Sequence, residues 1–176
     1  MKRNIFLLLL AAALLLAGCG QTAAEPSRPM EAAPQPTAGE DAFPMPDFTV
    51  YDGNSRPVKL SDYLGKPIVL NFWASWCGPC KSEMPAFQAV YQELGDQVQF
   101  LMVDVGEHMD EGSAFIASAG YTFPVLYDVD GNAAYAYQVS AIPTTVFIRA
   151  TGDIYTHHVG AMQEADLRAT IEALLS

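Results

Sequence analysis

Ile68-Val69-Leu70-Asn71-Phe72-Trp73 is an apolar run broken only by Asn71, the pattern of a strand buried on both faces. Three residues separate it from Cys77-Gly78-Pro79-Cys80. Apolar residues then recur at helical spacing, at Met84, Phe87, Val90, Tyr91 and Leu94, until Gly95 stops them. A buried strand that feeds a helix through a short loop puts that loop at the carboxyl edge of a sheet. The two cysteines therefore open the helix.

The rest of the chain fits around this unit. Phe48–Tyr51 and Pro57–Leu60 flank the turn Asp52-Gly53-Asn54-Ser55, a hairpin signal. Ser61 is the expected cap of a short helical turn ending at Gly65. Val98–Val105 reads as a second buried strand, Glu111–Ser118 as a helix stopped by Gly120, and Pro124–Tyr127 as a short strand. Asn132–Tyr137 reads as a short helix. Thr144–Ile148 and Ile154–Val159 read as a hairpin around Thr151-Gly152-Asp153, and Gln163–Leu175 as a closing helix. Strands alternating with helices predict an α/β fold, a mixed sheet covered by helices. Tyr121, Phe123, Tyr127, Tyr135 and Tyr137 are read as a mixture of core and surface.

The cysteine spacing carries the chemistry. Disulfide exchange needs a thiolate, and a free cysteine at neutral pH is mostly thiol. At a helix N-terminus Cys77 meets unsatisfied backbone N–H groups and the positive end of the dipole, both of which lower its pKa. Cys80 lies one turn along the same face, deeper in the helix. Cys77 is thus the expected attacker and Cys80 the resolving thiol. Pro79 loses nothing by lacking an N–H in a first turn. The other use of such a pair, half of a zinc site, needs two further ligands. The remaining candidates are Cys19, His108, and the adjacent His157 and His158, which face opposite ways in a strand.

Trp76-Cys77-Gly78-Pro79-Cys80 resembles the active site of the thioredoxin superfamily. Cys80-Lys81-Ser82-Glu83-Met84-Pro85 resembles the C-x-x-E-x-P pattern of its TlpA/ResA-like branch of extracytoplasmic thiol-disulfide oxidoreductases. Asn71 stands where cytosolic thioredoxins carry a buried aspartate, which leaves Glu83 as the expected proton acceptor for Cys80. The alternative for Glu83 is an ordinary solvated helix position. The stretch from Asp104 to Pro143 holds an extra helix–strand pair, as members of that branch do. The resemblance covers about 43–176 and implies a thioredoxin-like fold: a central mixed β-sheet flanked by helices, with an N-terminal β-hairpin and the helix–strand insertion. Ala141-Ile142-Pro143-Thr144-Thr145 resembles the superfamily's cis-proline loop. It implies that Pro143 packs against the disulfide and that Ile142 offers backbone groups to an extended substrate. Trp73 is expected in the core and Trp76 on an exposed rim. Pro85 is expected to kink its helix.

The N-terminus reads as an address. Lys2 and Arg3 precede an unbroken apolar run from Ile5 to Ala17, shorter than the roughly 20 residues of a membrane span and suited to a signal peptide. Leu16-Ala17-Gly18-Cys19 resembles a bacterial lipobox, which implies cleavage after residue 18 and lipid on Cys19. An ordinary secretory signal or an uncleaved anchor are the alternatives. Residues 19–42, with Pro26, Pro29, Pro34 and Pro36, read as a flexible tether. The expected organisation is a signal at 1–18, a lipid-anchored linker at 19–42 and a thioredoxin-like domain at 43–176, on the extracytoplasmic face of the cell membrane. Without Lys2 and Arg3, seven of the nine basic residues remain against twenty acidic ones, a charge of −13, which argues against nucleic acid as a partner.

The expected function is reduction of disulfides in exported proteins, with a membrane electron donor of the CcdA/DsbD type restoring the dithiol. Cytochrome c maturation or redox repair in the envelope are the client processes the resemblance implies. No metal or organic cofactor is needed. Three other readings stay open. One is a disulfide-donating oxidase, although Gly78-Pro79 resembles reducing thioredoxins more than the Pro-His of strong oxidants. Another is a peroxiredoxin-type peroxidase, suggested by the insertion, although Ala74 replaces the threonine of the Thr-x-x-Cys pattern. The last is a binding module with a structural disulfide, although so short a loop gains little stability from one.

Overall fold

The computed structural model describes residues 43–176; the signal, the Cys19 box and most of the tether, expected at 1–42, lie outside the described residues. The strands are β1 (Thr49–Tyr51), β2 (Pro57–Lys59), β3 (Ile68–Trp73), β4 (Gln99–Val105), β5 (Val125–Asp128), β6 (Thr144–Ile148) and β7 (Ile154–Val159). The helices are α1 (Gly78–Leu94), α2 (Met109–Ala119), α3 (Asn132–Ala136) and α4 (Glu164–Leu175).

The strands form one mixed sheet in the order β2-β1-β5-β4-β3-β6-β7. β3, β4 and β5 run parallel, while β6 and β1 join on either side antiparallel. This is the expected thioredoxin-like architecture, with β1–β2 as the N-terminal hairpin and α2–β5 as the insertion. The central position of β3 explains its composition: all six of its residues are buried.

Alternation along the strands splits the core into two layers. Val69, Phe100, Met102 and Phe147 face α1 and α4 through Met84, Phe87, Val90, Leu167 and Ile171, with Phe115 and Ile116 of α2 packed alongside. Leu70, Phe72, Leu101, Val103, Val146 and Ile148 face the other way, toward Leu60, Ala133 of α3 and the hairpin.

Element edges shift by one or two residues from the sequence reading. α1 starts at Gly78, with Cys77 itself as the N-cap, and continues through Pro85. One expectation is corrected. Ser61 caps nothing: the short 3-10 turn Leu60–Tyr63 is capped at Lys59, whose N–H donates to Asp62 Oδ2 at 2.9 Å. The Ser61 hydroxyl instead donates to Asp47 Oδ2 at 3.0 Å, because the hairpin brings Asp47 over it. The aromatic stretch is mixed as expected, with Phe123 and Tyr127 buried and Tyr135 fully out in solvent.

Candidate active site

Cys77 and Cys80 form a disulfide with an S–S distance of 2.02 Å. The backbone N–H of Cys80 points at Cys77 Sγ from 3.2 Å, so one of the orphan donors of the first turn of α1 is aimed at this sulfur. Cys77 keeps a small opening to solvent, 5 % of its surface, whereas Cys80 has none. Gly78 and Pro79 are exposed between them, and Trp76 is 65 % exposed beside them. Trp73, by contrast, is fully buried.

The Ile142–Pro143 peptide bond is cis. Pro143 is buried, and the Ile142 carbonyl oxygen lies 3.7 Å from Cys77 Sγ. The structure thus brings together the loop after β3 and the loop before β6, which are separated by more than sixty residues of chain. A cleft of about 470 Å³ opens here, lined by Trp76, Val105, Gly106, Ala134, Ala141 and Ile142. A larger cleft of about 780 Å³ lies over β6 and β7 near Phe43 and His157. Neither Trp76 nor Ile142, the residues that flank the disulfide, lines it, so its size says nothing about the chemistry.

Glu83 is not a solvated helix position. It is 2 % exposed and sits beneath the first turn of α1. Its Oε1 accepts from Asn71 Nδ2 at 2.9 Å, and its Oε2 accepts from the Met162 N–H at 2.8 Å. Asn71 Nδ2 also donates to Thr145 Oγ1 at 2.9 Å. Burial pushes the Glu83 carboxyl up to about 7, and the two hydrogen bonds offset only part of that rise. The group one turn below Cys80 is therefore a carboxyl that changes charge near neutrality.

The sequence reading missed a second acidic arrangement on the other side of the redox loop. Gly106 takes φ +70°, a conformation open to glycine, and turns the chain out of β4. Glu107 then reaches back to Ser75: its Oε1 accepts from the Ser75 N–H at 2.6 Å and its Oε2 from the Ser75 hydroxyl at 2.7 Å. Asp104, at the end of the apolar strand, is 2 % exposed. A lone acid inside a strand as apolar as Phe100–Val105 was the available signal. Met162 and Thr145 were also missed, and spacing alone gives no hint of either.

Comparisons with known proteins agree with this geometry. The AhpC/TSA family profile matches residues 42–157. The thiol-disulfide oxidoreductase ResA of Bacillus subtilis is 39 % identical over 128 residues, covering 72 % of this chain and 70 % of that one. The crystal structure of a protein described as a thiol:disulfide interchange protein DsbE, from Chlorobium tepidum, superposes with a TM-score of 0.69 at 31 % identity. It covers 78 % of this chain and 99 % of that one. That of the pneumococcal exposed lipoprotein thioredoxin Etrx1, from Streptococcus pneumoniae, gives 0.60 at 31 % identity, covering 72 % of this chain and 98 % of that one. With the disulfide, the cis-proline loop and the buried glutamate in place, the chain belongs to the AhpC/TSA family and, within it, to the ResA-like thiol-disulfide oxidoreductases.

Proposed function

We propose that this protein reduces disulfides of exported proteins outside the cytoplasm, and that Cys77, Cys80 and Glu83 carry the reaction. The observation that carries the reading is the graded burial of the pair over a carboxyl of near-neutral pKa: Cys77 slightly open, Cys80 closed, Glu83 below.

In the reduced protein the Cys77 thiolate, favoured by the Cys80 N–H and the helix N-terminus, attacks one sulfur of a substrate disulfide. One substrate thiolate leaves and a mixed disulfide forms. Glu83, in its ionised form, takes the proton of the Cys80 thiol. The Cys80 thiolate then attacks Cys77 Sγ and expels the second substrate sulfur as a thiolate. Two electrons pass to the substrate, and Cys77–Cys80 is left oxidised. Trp76 and the cleft beside it receive the substrate chain, with the Ile142 backbone as its strand partner and Gly78 and Pro79 leaving the approach open.

A membrane donor of the CcdA/DsbD type re-reduces the pair by attack on Cys77, the one sulfur with access. Residues 1–18 act as a signal peptide, Cys19 carries lipid, and residues 19–42 tether the domain to the extracytoplasmic membrane face. The likeness to a named exposed lipoprotein supports this placement. Among the described residues no helix is long and apolar enough to cross a membrane. Apocytochromes c awaiting haem are one client class, and envelope proteins under redox repair are another.

The test is the Cys77/Cys80 reduction potential of the full chain, equilibrated in thiol buffers and read by tryptophan fluorescence. A value below roughly −220 mV, toward thioredoxin, is expected; a value above roughly −150 mV, toward strong oxidants, makes the protein a disulfide donor instead.

A further inference from the structure

Asp104 stands between Trp73 of β3 and Tyr127 of β5 in one row of the sheet, on the face that α2 covers. Among the described residues neither of its carboxyl oxygens has a hydrogen-bond partner, and both are fully enclosed. The backbone of α2 presses directly on it, since a Cβ built on Gly112 would overlap Asp104 Oδ2. A bare carboxylate enclosed without donors is strongly disfavoured. A neutral carboxyl is not, provided its one O–H finds an acceptor. Glu107 is beside it, with a carboxylate already turned to Ser75.

We propose that Asp104 keeps a proton and donates it in a hydrogen bond to Glu107, and that this acid pair positions the redox loop by holding Glu107 clasped on Ser75. Ser75 lies two residues before Cys77, so the clasp fixes the approach to the attacking sulfur; the role in catalysis rests on Cys77 being that sulfur. Asp104 and Glu107 touch no substrate and are positioning residues.

The titratable groups facing Asp104 are Glu107 from the loop after β4, Glu111 from α2 and Tyr127 from β5. Burial pushes Asp104 up to about 9, and the neighbouring acids Glu107 and Glu111 push the same way. The Tyr127 hydroxyl is pushed up as well, by burial and then by Asp104. When pH crosses the Asp104 pKa, its proton passes to hydroxide as water. Two carboxylates then share one dry pocket, the pair repels, and Ser75 is released.

The experiment uses the oxidised full chain, in which Cys77 and Cys80 do not titrate, carrying Trp76→Phe so that Trp73 is the only indole. Trp73 fluorescence and the Ser75 amide proton shift are followed from pH 6 to 11. One alkaline step in both signals is expected, and Asp104→Asn, which keeps the donor and cannot ionise, removes it while leaving Ser75 held. Glu107→Gln offers an N–H to Asp104 and carries no charge, so it moves the step down by about one unit or more. In the reduced protein without the Trp76 change, Cys77 alkylation slows across the same step and does not slow in Asp104→Asn. A flat wild-type titration, a step that survives Asp104→Asn, or alkylation profiles identical in the two proteins would each overturn the proposal. None of these readings depends on the direction of electron flow, so a failure of the reductase reading shows up separately, in the reduction potential.

Discussion

Asn71 Nδ2 donates to Glu83 Oε1 across 2.9 Å, so the group facing the buried carboxyl from the central strand is a neutral amide. Among the described residues no cation repays the desolvation of Glu83. This is why its pKa rises to about 7 despite two hydrogen bonds.

The first prediction follows from that rise. Unfolded, a glutamate titrates near 4.5; folded, Glu83 titrates near 7. Between these values the native state binds more protons, so stability falls as pH rises from about 4.5 to about 7 and is level above. The size is about 3 kcal/mol for this one group. Urea unfolding of the oxidised protein at pH 4.5 and pH 8 measures it. Glu83→Gln, which cannot ionise, flattens this part of the profile; an unchanged slope in the variant means the titrating group lies elsewhere.

The second concerns Gly112. It sits inside α2, where alanine normally favours a helix, yet there is no room for a Cβ against Asp104. Gly112→Ala is expected to destabilise by about 1–3 kcal/mol through overpacking. In an Asp104→Ala background the same change costs little, so the two substitutions are strongly non-additive. Additive effects in denaturant titrations would place the strain outside this contact.

Trp76 supplies the third. Being 65 % exposed, its side chain contributes little to the fold, and Trp76→Ala is expected to change stability by no more than about 0.5 kcal/mol. If the rim beside the cleft receives substrate, the same variant loses about tenfold in kcat/KM toward a protein disulfide. Toward a small linear disulfide such as oxidised glutathione the loss is much smaller, because no chain lies along the cleft. Equal losses on both substrates would assign Trp76 to the thiol chemistry instead of docking.

How much of this was readable in the chain depends on the range of the interaction. β3 and α1 were legible because period and apolar run are local, and Cys77 at a helix N-terminus followed from them. The hairpin Asp52–Ser55 was legible from its turn residues. Ser61 was misread because a serine before a helical turn resembles a cap until Asp47 is brought onto it from fourteen residues away. The burial of Glu83 depends on Asn71, Thr145 and the Met162 N–H, which come from three distant segments; no spacing rule reaches that far. The Glu107–Ser75 clasp has the same origin, since it joins two loops that meet only because β3 and β4 are parallel neighbours.

The last prediction separates the two cysteines. Cys80→Ala leaves Cys77 at the mouth of the site with no partner to release what it captures, so the reduced variant is expected to hold a mixed disulfide with a substrate protein, located at Cys77 by peptide mapping. Cys77→Ala is expected to capture almost nothing, because Cys80 is wholly enclosed and its sulfur cannot reach a substrate. Glu83→Gln occupies the middle ground. Capture by Cys77 proceeds, but release slows by about 10²-fold or more, the usual contribution of a positioned general base, and the mixed disulfide becomes visible in rapid-quench samples. Fast release in Glu83→Gln at neutral pH would take the carboxyl out of the resolving step, and efficient capture by Cys77→Ala would reverse the assignment of attacker and resolver.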